Sequence, residues 1–272
     1  MLKARDFRAQ GRAALAGNWP IAILVVLISS LLGGSGFGGN SLLTADYSVD
    51  SYAYSPYIDT FDYSSVLPSF QPWQGIYGLL ILLIGGAVLL GLCCYFLKLL
   101  RGQPAAAADL FSRFRIWLKA LGLSLFMGLF IVLWSLLLIV PGVIAYYRYS
   151  MAPYLMADDT NIGIRQAVNV SKQMMDCHKG RLFCLDISFI GWVLLAAIPS
   201  AVFAVFVPAQ PLIEALLSFI ALLPVVAYMQ AARAAFFLDR AGSFFGQRMQ
   251  QQQPWQQPQA APEQPWQQPN GN

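Results

Sequence analysis

The sequence predicts an all-α fold, a polytopic bundle of transmembrane helices with about six spans and both termini in the cytoplasm. Three observations carry that expectation. Hydrophobic residues make up 57% of the 272 positions and charged residues only 11%, against about 25% charged in an ordinary soluble domain. Such a chain cannot cover a water-facing surface, whereas a bilayer-embedded helix requires no such cover. Apolar runs of membrane-spanning length recur along the chain. Finally, the cations are partitioned: residues 35–74 hold no Lys or Arg but do hold Asp46, Asp50, Asp59 and Asp62.

Residues 1–18 place Leu2, Phe7 and Leu15 on one side of a helix and Lys3, Arg5, Arg8 and Arg12 elsewhere, which predicts an interfacial helix lying on the membrane. A six-span membrane domain over 19–240 follows. Its first span starts at Trp19 in "WPIAILVVLISSLLGG". A basic start and a short apolar core also suit a secretory signal, but no small-residue cleavage site follows, so the span is expected to be retained. The second span is Gly75 to Leu97, with Ala87 and Gly91 four apart to admit a neighbouring helix. The third runs from Ala120 to Val140, where Pro141 and Gly142 break the helix. The fifth and sixth are expected from about Leu182 to Val207 and Pro211 to Ala232.

The fourth span rests on charge rather than hydropathy. The N-terminus, the 98–119 loop, the 158–181 loop and the C-terminal end hold 16 of the 17 Lys and Arg residues. The positive-inside tendency assigns all four to the cytoplasm and the 35–74 loop to the exterior. The chain must therefore return between Val140 and Asp158, through "GVIAYYRYSMAPYLMA". That segment is short for a span and calls for local thinning or shelter by other helices.

Its return places Arg148 within the membrane, where an arginine is costly and seeks a partner. By depth the nearest carboxylate is Asp186, so an Arg148–Asp186 pair is expected. It reads either as a ligand-binding polar site for an anionic headgroup or solute, or as a structural clamp. Thr160 or Asn161 is expected to cap a helix in the 158–181 loop, with Ile164, Ala167, Val168, Ser171 and Met175 at helical spacing.

Catalytic machinery is not predicted. No nucleophile elbow, phosphate-cradling loop or zinc-protease motif is present, and His178 is the sole histidine. No metal site and no cofactor are expected, since Cys177–His178 alone makes no ligand set. The four cysteines read as reduced thiols. Basic residues flank apolar runs instead of forming one patch, which argues against nucleic acid. The external loop carries Tyr47, Tyr52, Tyr54, Tyr57 and Tyr63 among serines and aspartates and reads as a flexible interfacial loop. The segment 241–272 ends in "QPWQQP" repeats and is expected to be a disordered cytoplasmic tail, with Trp255 and Trp266 as anchors for a protein partner. Membrane lipids are the other expected partners.

Several short motifs in one order resemble a bacterial integral membrane family, domain-of-unknown-function family 975. They are Pro141-Gly142, Tyr149-Ser150-Met151, Pro153-Tyr154, Asp158, then Ala167, Ser171, Met175, Lys179, Leu182-Phe183 and "SFIGW" from Ser188. The early "GNWPIAI" also looks like that family's first span, and the resemblance covers roughly residues 5–240. It implies a multi-pass protein of a bacterial cytoplasmic membrane and brings no activity with it. A more distant similarity to the membrane portion of some bacterial glycerophosphodiester phosphodiesterases implies lipid or envelope biology. The resulting expectation is a non-enzymatic membrane component that binds or organises lipid or envelope material. A small secondary transporter and a membrane-embedded enzyme of lipid metabolism are the alternatives.

Overall fold

The computed structural model describes residues 4–34, 72–206 and 211–252. The Tyr- and Asp-rich loop, apart from its last residues, and the repeats with Trp255 and Trp266 lie outside the described residues. Every regular element among the described residues is helical: α1 (Ala4–Leu15), α2 (Trp19–Leu31), α3 (Pro72–Leu100), α4 (Trp117–Leu137), α5 (Ile139–Tyr149), α6 (Ala152–Asp158), α7 (Ile164–Met175), α8 (Lys179–Phe206) and α9 (Pro211–Gln252), with two 3-10 turns at Ala107–Phe111 and Phe114–Ile116.

Among the described residues, α3, α4, α8 and α9 are each long and apolar enough to cross a membrane. A fifth traverse appears if α1 and α2, bent by 103° at their junction, count as one broken span. Helix α2 has 13 residues, short of the ~20 that a single span needs. Helix α1 turns its apolar stripe onto the bundle. It buries Phe7, Gly11 and Leu15, and Phe7 meets Phe236 of α9 edge to face at 5.3 Å. A Cβ at Gly11 would sit 3.0 Å from the Ala232 backbone nitrogen, so the absence of a side chain there lets α1 lie directly on α9.

The expected fourth span is not one helix. Leu138 is extended (φ −163°, ψ 144°) and separates α4 from α5, and a second break at Ser150-Met151 separates α5 from α6. Pro141 and Gly142 do not form the break. They lie in the first turn of α5, where a proline's missing N–H costs no helical hydrogen bond. Gly142 packs onto Ser135 of α4, and the Phe130 and Tyr149 rings meet at 6.5 Å, so α5 folds back along α4. At the end of α6 the Thr160 carbonyl accepts from Lys119 Nζ at 3.1 Å, and Asp158 accepts two bonds from Arg101 at 2.6 and 2.9 Å. The hydrogen bond that Arg101 donates to Asp158, opposed by partial burial, raises the Arg101 pKa above its ordinary value. Together α5 and α6 return the chain to the level from which α4 departed, in two short pieces.

Helix α3 is the central post. Its residues Leu90 and Leu92–Leu97 are all buried, which marks a helix enclosed on every side. The enclosure at the basic end comes from the short α1, α2, α6 and first 3-10 turn together with the long α9, all of which pack against it. Gly91 permits the tightest approach, because a Cβ there would collide with the Leu110 carbonyl oxygen. The helix–helix approach of α4 falls instead at Gly86, where a Cβ would lie 2.9 Å from the Ala120 carbonyl oxygen. Lys98 pairs with Asp109 and ties the turn down further.

Helix α7 begins after Gly163, so neither Thr160 nor Asn161 caps it; Asn161 N–H donates to the Asp159 carboxylate instead. Its expected inner face is otherwise as read, with Ala167, Val168, Ser171 and Met175 buried. Helix α9 continues past Ala232 as far as Gln252, into the segment expected to be disordered from residue 241.

Candidate functional site

Three helices contribute to a polar cluster inside the bundle. Asp186 lies on α8 about 10 Å along the axis from Lys179, at 1.5 Å rise per residue. Arg233 lies on α9, and Tyr146 on α5. The Arg233 guanidinium grips both oxygens of Asp186, Nε to Oδ1 at 2.9 Å and Nη2 to Oδ2 at 2.8 Å, the fork geometry of a strong charge-assisted pair. Its Nη1 donates to the Tyr146 hydroxyl at 3.3 Å. The two charged side chains are only 11% and 9% exposed. One turn earlier on α9, Gln230 Oε1 accepts from the Tyr154 hydroxyl at 3.2 Å, and the Tyr154 ring stacks on Phe237 at 5.5 Å. Both pieces of the broken α5–α6 return are thus fastened to α9 by tyrosines, one on each side of the break.

The expected Arg148–Asp186 pair does not form. Asp186 takes Arg233 instead, and Arg148 turns outward. The reason is azimuthal. Residues two apart on a helix point about 200° from each other at 3.6 residues per turn. Tyr146 faces the cluster, so Arg148 faces away from it. The Arg148 side chain is 45% exposed and its Nη2 lies 4.0 Å from Asp176 Oδ1. Lys179 Nζ reaches the same oxygen at 3.4 Å. The Arg148 carbonyl, freed by the end of α5, accepts from Ser171 Oγ at 2.9 Å. Lys172 Nζ sits 5.5 Å from the Tyr149 ring centroid, a cation–π distance. This corner closes with the turn between α7 and α8, where Cys177 takes a positive φ of 62°.

Arg233 was not singled out by sequence reasoning, which ended the last span one residue before it. The signal was present: Ala231, Ala232, Ala234, Ala235, Phe236 and Phe237 flank it with apolar residues on both sides, and all six are buried. An arginine within such a run is an intramembrane charge with a partner to be found. Among the described residues, no three His, Cys, Asp or Glu side chains come together as metal ligands would.

Outside these two charge centres the far halves of the long helices are apolar and open. On α8, Trp192, Val193, Leu194 and Leu195 are all exposed, while Phe189, Ala196 and Ser200 keep one narrow stripe buried, where Trp192 also meets Tyr228 of α9 at 6.4 Å. On the α4–α5 hairpin, Val132 to Trp134, Leu136 to Leu138, and Val140 are exposed as well.

Residues 136–240 match the model of a family described as "Protein of unknown function (DUF975)". The match takes in both charge centres, the broken return and helices α7 and α8, and starts after the "GNWPIAI" segment. A search of curated proteins and a search of solved structures each gave no match.

Proposed function

We propose that the chain is a member of the DUF975 family, which its match over residues 136–240 supports, and that it is a non-enzymatic, multi-pass component of a bacterial cytoplasmic membrane that binds and organises lipid. In this reading α1–α2 and the α5–α6 return each count as broken traverses, which restores six crossings with the basic ends inside. The observation that carries the lipid role is the exposure of α8 over Trp192–Leu195. A helix at the edge of a closed bundle shows lipid one face. Here only the stripe Phe189, Ala196 and Ser200 is buried, and the broad remaining arc of α8 admits acyl chains beside it, next to the α4–α5 hairpin.

The polar cluster supports a structural part in this design. Each Asp186 oxygen accepts from Arg233, a fork that ties the carboxylate to its cation across two helices. The cluster holds α5, α8 and α9 together beneath the open half.

Spin-labelled phospholipid in reconstituted membranes tests this. Lipid enclosed between helices gives a motionally restricted component larger than the perimeter of a closed bundle of this helix number would give. A restricted fraction matching that perimeter would remove the lipid role. It would leave the secondary transporter and the lipid enzyme to be pursued by flux and turnover assays.

A further inference from the structure

We propose that Arg148 and Lys179 form the headgroup site for one anionic phospholipid, seated on the α5–α8 face at the basic end. This rests on the lipid-binding reading above and names the lipid class it takes.

The charge arithmetic comes first. Arg148 and Lys179 approach a single oxygen, Asp176 Oδ1, at 4.0 and 3.4 Å. Two cations share one carboxylate, and that carboxylate is itself 59% exposed. One positive charge is left over. It differs in kind from the Arg233–Asp186 pair, where one cation meets one carboxylate in a closed fork. A phosphodiester supplies the missing negative charge and two acceptor oxygens, one for a guanidinium edge and one for an ammonium.

Geometry then fixes the ligand as a lipid. Ile144 lies four residues before Arg148 on α5, on the same helix face. Phe183 and Ile187 lie four and eight residues after Lys179 on α8, again on its face. All three are exposed. The two helices meet here, with the Tyr147 and Phe183 rings 5.7 Å apart. Helix α5 ends at Arg148-Tyr149 while α8 begins at Lys179, so the cations lie together at one end and the apolar residues run away from them side by side. A polar head over a two-stripe apolar track is the shape of a phospholipid, and the leftover positive charge selects an anionic one over a zwitterionic one.

The experiment uses the full chain in nanodiscs of phosphatidylcholine doped with phosphatidylglycerol, with co-retained lipid read by native mass spectrometry after mild extraction. One phosphatidylglycerol should be retained in preference to phosphatidylcholine. Arg148→Gln with Lys179→Gln should reduce that preference by more than tenfold, taking about fivefold for each interfacial cation. Asp176→Asn removes the competing carboxylate and should strengthen retention. This second variant keeps the test decisive should the double variant fold poorly. Arg240→Gln, whose cation is paired with Asp239 at 2.8 Å on another face, should change nothing. Inorganic phosphate should not displace the lipid.

Retention unchanged in the double variant and in Asp176→Asn would overturn the site. Displacement by inorganic phosphate would overturn its assignment to a lipid. Equal retention of both phospholipids would end the anionic preference while leaving the broader lipid reading in place. Loss of all retained lipid would end both.

Discussion

Helix α3 near its basic end and helix α8 near its far end are made of the same material and live in opposite surroundings. Over Leu92–Leu97, α3 is leucine, cysteine and aromatic, and wholly buried; over Trp192–Leu195, α8 is tryptophan, valine and leucine, and exposed at all four positions. Hydropathy cannot separate them, because lipid and protein interior are equally apolar. The difference comes from what surrounds them. At the basic end, short elements crowd around α3: α1 seated by Gly11, a 3-10 turn seated by Gly91, and the broken α6. At the far end α8 keeps α9 as its neighbour, with Trp192 against Tyr228 at 6.4 Å, and lacks the crowd of short elements that encloses α3. One half of the molecule is packed and rich in charge; the other is open and apolar.

The most severe test of this contrast is the ion pair at the boundary. Arg233→Ala leaves Asp186 buried without its cation and should cost about 3–5 kcal/mol, read as loss of the folded fraction in detergent denaturation. Replacing both residues together, Asp186→Leu with Arg233→Met, should recover most of that loss if the pair is a clamp. Failure of the double variant to recover would show that the charges act on something beyond each other.

Gly91→Ala probes the packed half itself. The new methyl meets the Leu110 backbone carbonyl, which cannot swing aside as a side-chain end would. A cost of about 1–3 kcal/mol is expected. Gly128→Ala, on α4 with open space around its Cβ position, should be neutral or slightly stabilising through helix propensity. Equal behaviour of the two would remove the claim that the packed half is tight. Arg101→Gln, which breaks a pair whose partners are 37% and 38% exposed, should cost less, about 0–1 kcal/mol, and the cost should shrink in high salt.

How much of this was legible in the sequence follows from the same contrast. The long helices announce themselves by composition, and α3, α4, α8 and α9 fall where the apolar runs place them. Charge parity leads to the expectation of a return between Val140 and Asp158, and the Lys119–Thr160 and Arg101–Asp158 contacts bring the end of α6 beside the start of α4. Its form was not legible: extended Leu138 is a leucine among leucines, and Pro141-Gly142, the obvious break signal, sits inside the helix. Site residues suffered from a different limit. Depth along a helix can be counted, so Asp186 was found; azimuth in the bundle depends on packing, so its partner was misassigned to Arg148. Arg233 was hidden by treating an arginine as the end of a span.

The smallest expected effect is the most informative about the open half. Leu194→Ala removes a large side chain from a position 56–65% exposed along with its neighbour Leu195. In a soluble core a Leu→Ala change costs 2–5 kcal/mol, roughly, through lost burial and a cavity. Here neither contribution applies. Under the proposed function the side chain faces lipid before and after unfolding within the bilayer, and acyl chains fill the space it leaves. The expected cost is therefore under ~0.5 kcal/mol, whereas Phe96→Ala, in the enclosed stretch of α3, leaves a void that rigid neighbours cannot fill and should cost several times more. The two substitutions are read side by side in the same detergent titration. If Leu194→Ala proves as costly as Phe96→Ala, then a protein surface covers α8 at that level, the space beside it is not lipid, and the far half is an interface rather than an opening.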